Sequence, residues 1–379
     1  MITFIISGRD CVAKKMRALI HIQHPAHFHF FKNLVLELEK RGDDVIVTAK
    51  EKEIVADLLK SSNFNYILIG KFKNNLFSKF MGMVELDLKL LRIAKKFNPD
   101  VLLGIHDENI AQVGFLIRKP SIVFVDTEDV KLGNLATFPF ATVICTPSCY
   151  LKNLGRKQVR YRGYHELAYL HPNYFRPNPE ILEILDTSDR IIIVRFIAWK
   201  ATHDIGLKGI SNEMELIRRL EKYGRVFISS ERRLSEKLEK YRLPIPKEEI
   251  HSLLYYADLY IGEGGTMAVE AAILGTPAIH IESTSNGIAT GELCGNFLEL
   301  RDKYDLLYFY PNQDRALEKA MEILENDKSK REWRKKRRKL LGDKIDVTAW
   351  MLDFIRSCLL YTSDAADDGE SVDLGGRRI

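Results

Sequence analysis

From Ala18 onward, short runs of consecutive apolar residues alternate with longer stretches in which apolar positions recur every three or four residues. The first pattern reads as buried strand and the second as amphipathic helix. Strands are predicted at Ala18–Ile22, Val45–Val47, Tyr66–Ile69, Val101–Leu103, Ile122–Val125 and Thr142–Cys145. Helices are predicted between them at Phe28–Lys40, Lys52–Lys60, Leu76–Lys96 and Asn109–Ile117. Strands apolar on both faces and separated by helices specify a parallel sheet covered on both sides.

A proline-rich stretch, residues 171–180, then interrupts both helix and strand patterns. The alternation restarts with strands at Arg190–Val194, Val226–Ser229, Leu259–Ile261 and Ala278–Ile281, and helices at Glu213–Tyr223, Lys247–Tyr256 and Met267–Leu274. The expected fold class is therefore α/β, with two Rossmann-like, doubly wound domains at 16–170 and 181–342 joined by the linker 171–180. A further amphipathic helix, Ile345–Ile355, lies in the segment 343–357.

Length agrees with two domains, since 379 residues exceed the usual single-domain size of about 150. With 46% hydrophobic and 29% charged residues the chain is neither disordered, collagen-like nor a small disulfide scaffold. No apolar run approaches the ~18 residues that span a bilayer, so a cytoplasmic protein is expected. The five cysteines show no metal-ligand spacing and read as free thiols in a reducing compartment.

The termini read differently from the middle. Residues 1–15 precede a natural start at Met16 and read as an over-extended N-terminus. Cys358–Asp367 and Ser371–Ile379 resemble a translated sequencing-library adapter, so 358–379 is expected to be an artefactual tail outside the fold.

A formal charge of +5 argues against a dedicated nucleic-acid binder but permits an anionic substrate. The basic run Lys328–Lys339 surrounds Trp333 on a predicted helix. It reads either as a solvated helix face or as a peripheral contact with an anionic membrane surface, which would suit a lipid-linked acceptor.

In doubly wound sheets, ligands bind beyond the carboxyl ends of the strands. The sharpest signal of that kind is Leu259-Tyr260-Ile261-Gly262-Glu263-Gly264-Gly265-Thr266, continuing through Glu270 to Gly275-Thr276-Pro277. Glycines let the backbone approach a ligand, Thr266 is placed to cap a helix, and free N–H groups at a helix start favour an anion. Glu270, one turn after Thr266, is placed to accept hydrogen bonds from a ribose diol. A plain strand-to-helix turn would also use small residues here.

In the first domain, Asp126 and Glu128 follow a buried strand, where carboxylates can orient or deprotonate a hydroxyl; Asp126 would equally serve as a turn or helix cap. His27 opens the first helix within His24-Pro25-Ala26-His27-Phe28-His29, and fits a capping or packing role as well as a chemical one. A metal reading is poor, because His27 and His29 diverge at helical spacing.

The Gly-Gly-Thr segment resembles the donor-binding segment of GT-B glycosyltransferases and of UDP-N-acetylglucosamine 2-epimerases. Residues 16–357 further resemble a prokaryotic domain-of-unknown-function family grouped with that fold. The resemblance rests on Gln23-His24-Pro25-Ala26-His27, Phe124-Val125-Asp126-Thr127-Glu128, Gly163-Tyr164-His165-Glu166-Leu167-Ala168-Tyr169-Leu170 and the Gly-Gly-Thr segment.

It implies a GT-B fold with an interdomain cleft, a C-terminal helix crossing back to the first domain, and a nucleotide-diphosphate sugar, with uridine the expected base, as substrate. No metal or other cofactor is implied. His27, Asp126 and Glu128 would be catalytic, with His27 or Asp126 the base. Arg195, His203, Ser230, Glu263, Gly264, Gly265, Thr266 and Glu270 would bind the nucleotide sugar, although Arg195 could instead pair with Glu231. The implied activity is glycosyl transfer to a surface-glycan or lipid-linked acceptor. The alternatives are 2-epimerisation and non-catalytic nucleotide-sugar binding; the His-Arg-x-Glu-Asn string of the epimerases is absent.

Overall fold

The computed structural model describes residues 15–51, 53–62, 64–71, 76–128, 130–186, 188–199, 206–230 and 232–368, together with 372–373 and 377–378. Residues 1–14, His203 and Glu231 lie outside the described residues, as do the side chains after Leu359, which include nearly all of the adapter-like segment.

The first half carries seven strands: β1 (Arg17–Ile22), β2 (Asp44–Glu51), β3 (Tyr66–Lys71), β4 (Val101–Ile105), β5 (Ser121–Phe124), β6 (Val143–Pro147) and β7 (Gln158–Tyr161). They form one parallel sheet in the order β3-β2-β1-β4-β5-β6-β7. The helices between them are α1 (Pro25–Lys40), α2 (Glu53–Ser61), α3 (Leu76–Phe97), α4 (Glu108–Ile117) and α5 (Lys131–Thr137); the short α6 (Leu167–Leu170) follows β7. Every residue of β4, β5 and β6 is buried, as their unbroken apolar runs require of a two-sided sheet. Helix α1 buries Phe28, Phe30, Phe31, Leu34, Val35 and Leu38, worth on the order of 10 kcal/mol before chain entropy is charged against it.

After α7 (Glu180–Leu185) the second half repeats the plan with β8 (Ile191–Phe196), β9 (Arg225–Ser230), β10 (Leu259–Gly262), β11 (Ala278–Ile281) and β12 (Leu307–Tyr310). Their parallel order is β12-β11-β10-β8-β9. Around them lie α8 (Glu213–Leu220), α9 (Glu236–Glu239), α10 (Ile250–Tyr256), α11 (Gly265–Leu274), α12 (Gly295–Asp302), α13 (Gln313–Glu325) and α14 (Ser329–Asp343). Strand order reverses between β1 and β4 in one sheet and between β8 and β10 in the other, so the loops after these strands border the two ligand crevices.

The last helix, α15 (Val347–Asp368), packs on the first half: Thr348 Oγ1 donates to Ala168 O at 2.8 Å and Arg356 reaches Asp43 at 2.7 Å. It does not stop at residue 357, and Cys358 is buried against the core. None of the described helices is long and apolar enough to cross a membrane.

Candidate functional site

The start of α11 sits at the second sheet's crevice. Gly264 is its N-cap, with φ +86°, a backbone that side chains rarely adopt; a Cβ there would also meet Ile197 Cγ2 at 3.0 Å. No side chain among the described residues caps this helix, so the capping expected of Thr266 is corrected: Thr266 lies inside the first turn and is exposed, because the glycine already turns the chain. The N–H groups of that turn and the positive end of the helix dipole are therefore left without a side-chain acceptor.

Glu263, expected to touch ligand, is instead committed to the backbone. Its Oε2 accepts from Ile197 N at 3.0 Å and its Oε1 from Ile210 N at 2.9 Å, pinning the segments after β8 against the glycine turn. Burial pushes its carboxyl up, and the two amides oppose that. Arg195, at the end of β8, donates to Ser229 Oγ at 2.9 Å. Ser230 closes a local turn through both the N–H and the carbonyl of Arg232.

Glu270 is buried where the halves meet. Its Oε1 accepts from Tyr169 OH of the first half at 2.7 Å and lies 3.0 Å from His251 Nε2. Burial would raise this carboxyl, yet His251 and Tyr169 outweigh it and hold the group below its usual value. His29 packs edge-on to His251, ring centroids 5.1 Å apart, and burial holds it neutral with a pKa of about 4.

Two further bridges join the halves. Glu128 Oε1 accepts from Gly295 N at 3.0 Å and from Leu151 N at 3.2 Å, while Tyr164 OH and Lys344 Nζ each reach Glu299 Oε2 at 2.6 Å. Gly295 has to be glycine, since a Cβ would sit 1.9 Å from Cys149 O. Glu128 is thus at least half an interdomain bracket, with Oε2 buried and unpartnered.

On the first half, Asp126 neither caps α5 nor stands alone. Its Oδ2 lies 3.0 Å from Nδ1 of His165, a residue that spacing alone did not mark, although its string carried the family resemblance. Burial would raise Asp126, but the His165 imidazole and the Thr127 hydroxyl bring it down to about 2, so it stays ionised. Its charge orients His165 with Nδ1–H toward the carboxylate, turning Nε2 outward as a lone pair. That Nε2 is buried without a partner among the described residues, as are Glu166 Oε2 and Tyr161 OH. Burial, reinforced by Asp126, pushes the Glu166 carboxyl well up, and this acid is the next residue in the chain after the imidazole that faces the ionised Asp126.

His27 also borders this crevice. Its Nδ1 accepts from Gln23 N at 3.4 Å, and burial together with neighbouring histidines lowers its pKa well below the usual value. The capping role open to it belongs to His24, whose Nδ1 accepts from Ala26 N. Among the described residues no group of three or more His, Cys, Asp or Glu side chains is placed to hold a metal ion.

Helix α6 joins the two halves. Tyr169, one turn beyond His165, reaches Glu270 on α11, so dyad and glycine turn lie on either side of the same junction. This arrangement can deprotonate a hydroxyl on one side while holding an anion on the other.

Comparison with known proteins agrees with this two-sheet plan. Residues 16–331 match the family model "Protein of unknown function (DUF354)". An uncharacterized protein of Methanocaldococcus jannaschii is 30% identical over 273 residues, covering 69% of this chain and 80% of that one. Among solved structures, a UDP-N-acetylglucosamine 2-epimerase candidate from Listeria monocytogenes superposes with TM-score 0.63 at 15% identity, over 91% of this chain and 96% of that one. The spinosyn forosaminyltransferase SpnP gives 0.61 at 13%, over 91% and 100%. The Streptomyces sp. SF2575 glycosyltransferase SsfS6, solved with thymidine diphosphate, gives 0.56 at 12%, over 89% and 99%. These likenesses establish the GT-B fold.

Proposed function

The chain belongs to the DUF354 family and carries the GT-B fold, and from that premise we propose that its cleft binds a nucleotide-diphosphate sugar and transfers the sugar to a hydroxyl acceptor. The observation that carries the reading is the uncapped Gly264-Gly265 start of α11 lying across one junction from the Asp126–His165 pair. In this reading the first-turn amides of α11 hold the diphosphate and Arg195 adds positive charge. Both protein contacts of Glu270 fall on Oε1, which leaves Oε2 for the ribose diol.

His165 Nε2 takes the acceptor hydroxyl proton as that oxygen bonds to the anomeric carbon. The bond from carbon to the diphosphate oxygen breaks, and the diphosphate leaves with the electron pair. Asp126 is then a positioning residue, while His27 is the second candidate base. No step requires a protein-bound metal, and the cytoplasm supplies such donors.

A second reading is favoured by one observation: Glu166, a buried acid whose carboxyl is pushed well up, follows His165 directly in the chain, and an acid and a base side by side are what elimination and re-addition at a sugar carbon would use. Incubation with a nucleotide sugar alone separates the two. A transferase leaves the sugar's stereochemistry intact without acceptor, whereas epimerised sugar in the absence of acceptor would overturn the transferase reading.

A further inference from the structure

The surface of the first half carries a second feature, away from the cleft floor. Leu132 and Leu135 on α5 are 83% and 72% exposed, and Phe115 and Leu116 at the end of α4 are each 62% exposed. These residues share one face. Gln112 of α4 donates to the Ala136 carbonyl beside Leu135, and the Phe115 ring packs on Phe140 just past α5, centroids 5.6 Å apart. Soluble surfaces scatter single apolar residues, but an adjoining set this exposed marks something that covers it.

Charge points to the cover. In the sequence between Asn109 and Gly163 the only carboxylates are Asp126, Glu128 and Asp129, of which Asp126 and Glu128 follow β5 at the cleft, whereas basic residues recur throughout. Arg118 lies two residues after Leu116, and Lys157 is tied to the Phe138 and Pro139 carbonyls beside Phe140, with exposed Arg156 next to it. A second copy would bring this basic surround against itself, so a symmetric dimer through this face is disfavoured by like charge. Apolar side chains ringed by cations match the interface of an anionic bilayer.

We infer that the α4–α5 face docks this protein on an anionic membrane surface, with Leu132, Leu135, Phe115 and Leu116 entering the acyl boundary. The basic helix α14 is not the anchor. It exposes no large apolar residue, and several of its cations are engaged by the protein: Lys330 with Asp258, Lys336 with Asp305, and Arg337 with the Ile273 carbonyl.

The docking face continues to the cleft rim. Half-exposed Leu151 donates its amide to Glu128, the residue that brackets the two halves, and Gly133 of α5 lies against His106 at the end of β4. A hydroxyl acceptor carried on a lipid would therefore reach the dyad from the membrane plane. That last step rests on the transferase reading; the docking itself does not.

The test is co-sedimentation of the full chain with phosphatidylcholine vesicles containing or lacking phosphatidylglycerol, alongside light scattering. Wild type is expected to bind the anionic vesicles at least tenfold better, with binding weakened by salt. Leu132→Asp/Leu135→Asp, at positions already solvated, is expected to lose at least tenfold, while Arg331→Glu/Arg338→Glu on α14 changes binding less than threefold. Nucleotide-sugar affinity, read separately by calorimetry, is expected to be unaffected by Leu132→Asp/Leu135→Asp. The inference is overturned if wild type binds neither vesicle, if only the α14 variant loses binding, or if the chain is a dimer that Leu132→Asp/Leu135→Asp dissociates.

Discussion

Replacing Asp126 by Asn keeps the size of the side chain and removes the charge that orients His165. The structure sets the size of the effect on stability. The His165 and Thr127 contacts bring the Asp126 carboxyl down from 3.8 to about 2 in the folded chain, which at ~1.36 kcal/mol per pKa unit is on the order of 2–3 kcal/mol. Because the folded value is the lower one, this stabilisation is present above pH ~4 and fades as pH falls toward 2. Urea titration at pH 7 is therefore expected to show Asp126→Asn weaker by ~2–3 kcal/mol.

The amide can also offer its N–H₂ to Nδ1, moving the imidazole proton to Nε2 and removing the lone pair that would accept the acceptor's proton. A lost general base costs roughly 10²–10⁴ in turnover. Nucleotide affinity, set by the other half, is expected to hold within about threefold, an estimate that follows from the separation of the two sites. Release of nucleoside diphosphate is the activity readout, with binding followed by calorimetry. Turnover within threefold of wild type, or unchanged stability at pH 7, would refute the dyad.

Other perturbations probe the rest of the architecture. His21 is fully buried with Nδ1 on Thr48 and a pKa lowered to about 3, chiefly by burial, so the unfolded chain binds a proton below pH 6.5 that the folded chain refuses. Wild type should lose ~2 kcal/mol more than His21→Gln between pH 6.5 and 5.0 in urea titrations, and equal losses would remove His21 as the cause. Gly264→Ala forces a side chain into φ +86° against Ile197, costing at least ~1–2 kcal/mol in thermal or urea unfolding. Tyr169→Phe deletes a hydrogen bond to an ionised carboxylate between the halves, and ~1.5–3 kcal/mol of stability should go with it.

The central strands were legible because a two-sided parallel sheet demands long apolar runs, as in β4 and in Ile122–Phe124 of β5. Within the two parallel sheets the pattern missed β7 (Gln-Val-Arg-Tyr) and β12 (Leu-Tyr-Phe-Tyr), both edges of their sheets, where one side is solvated and the run is mixed. Strand-end position singled out Asp126, which the structure places 3.0 Å from His165 Nδ1. Its partner was hidden, since β6 and β7 intervene before the chain returns His165 to it.

Glu263 shows the opposite limit. A carboxylate beside glycines at a strand end looks ligand-facing in sequence, but only coordinates reveal that both oxygens are taken by backbone amides. Thr266 was displaced from the cap for a local reason, the positive φ of Gly264.

Isothermal titration of the purified chain with uridine- and thymidine-diphosphate sugars, repeated with Glu270→Ala, bears most directly on the central claim. The account expects saturable binding of at least one such donor by wild type, weakened tenfold or more in Glu270→Ala. Absence of binding to any nucleotide-diphosphate sugar, or an affinity that Glu270→Ala leaves unchanged, would contradict it.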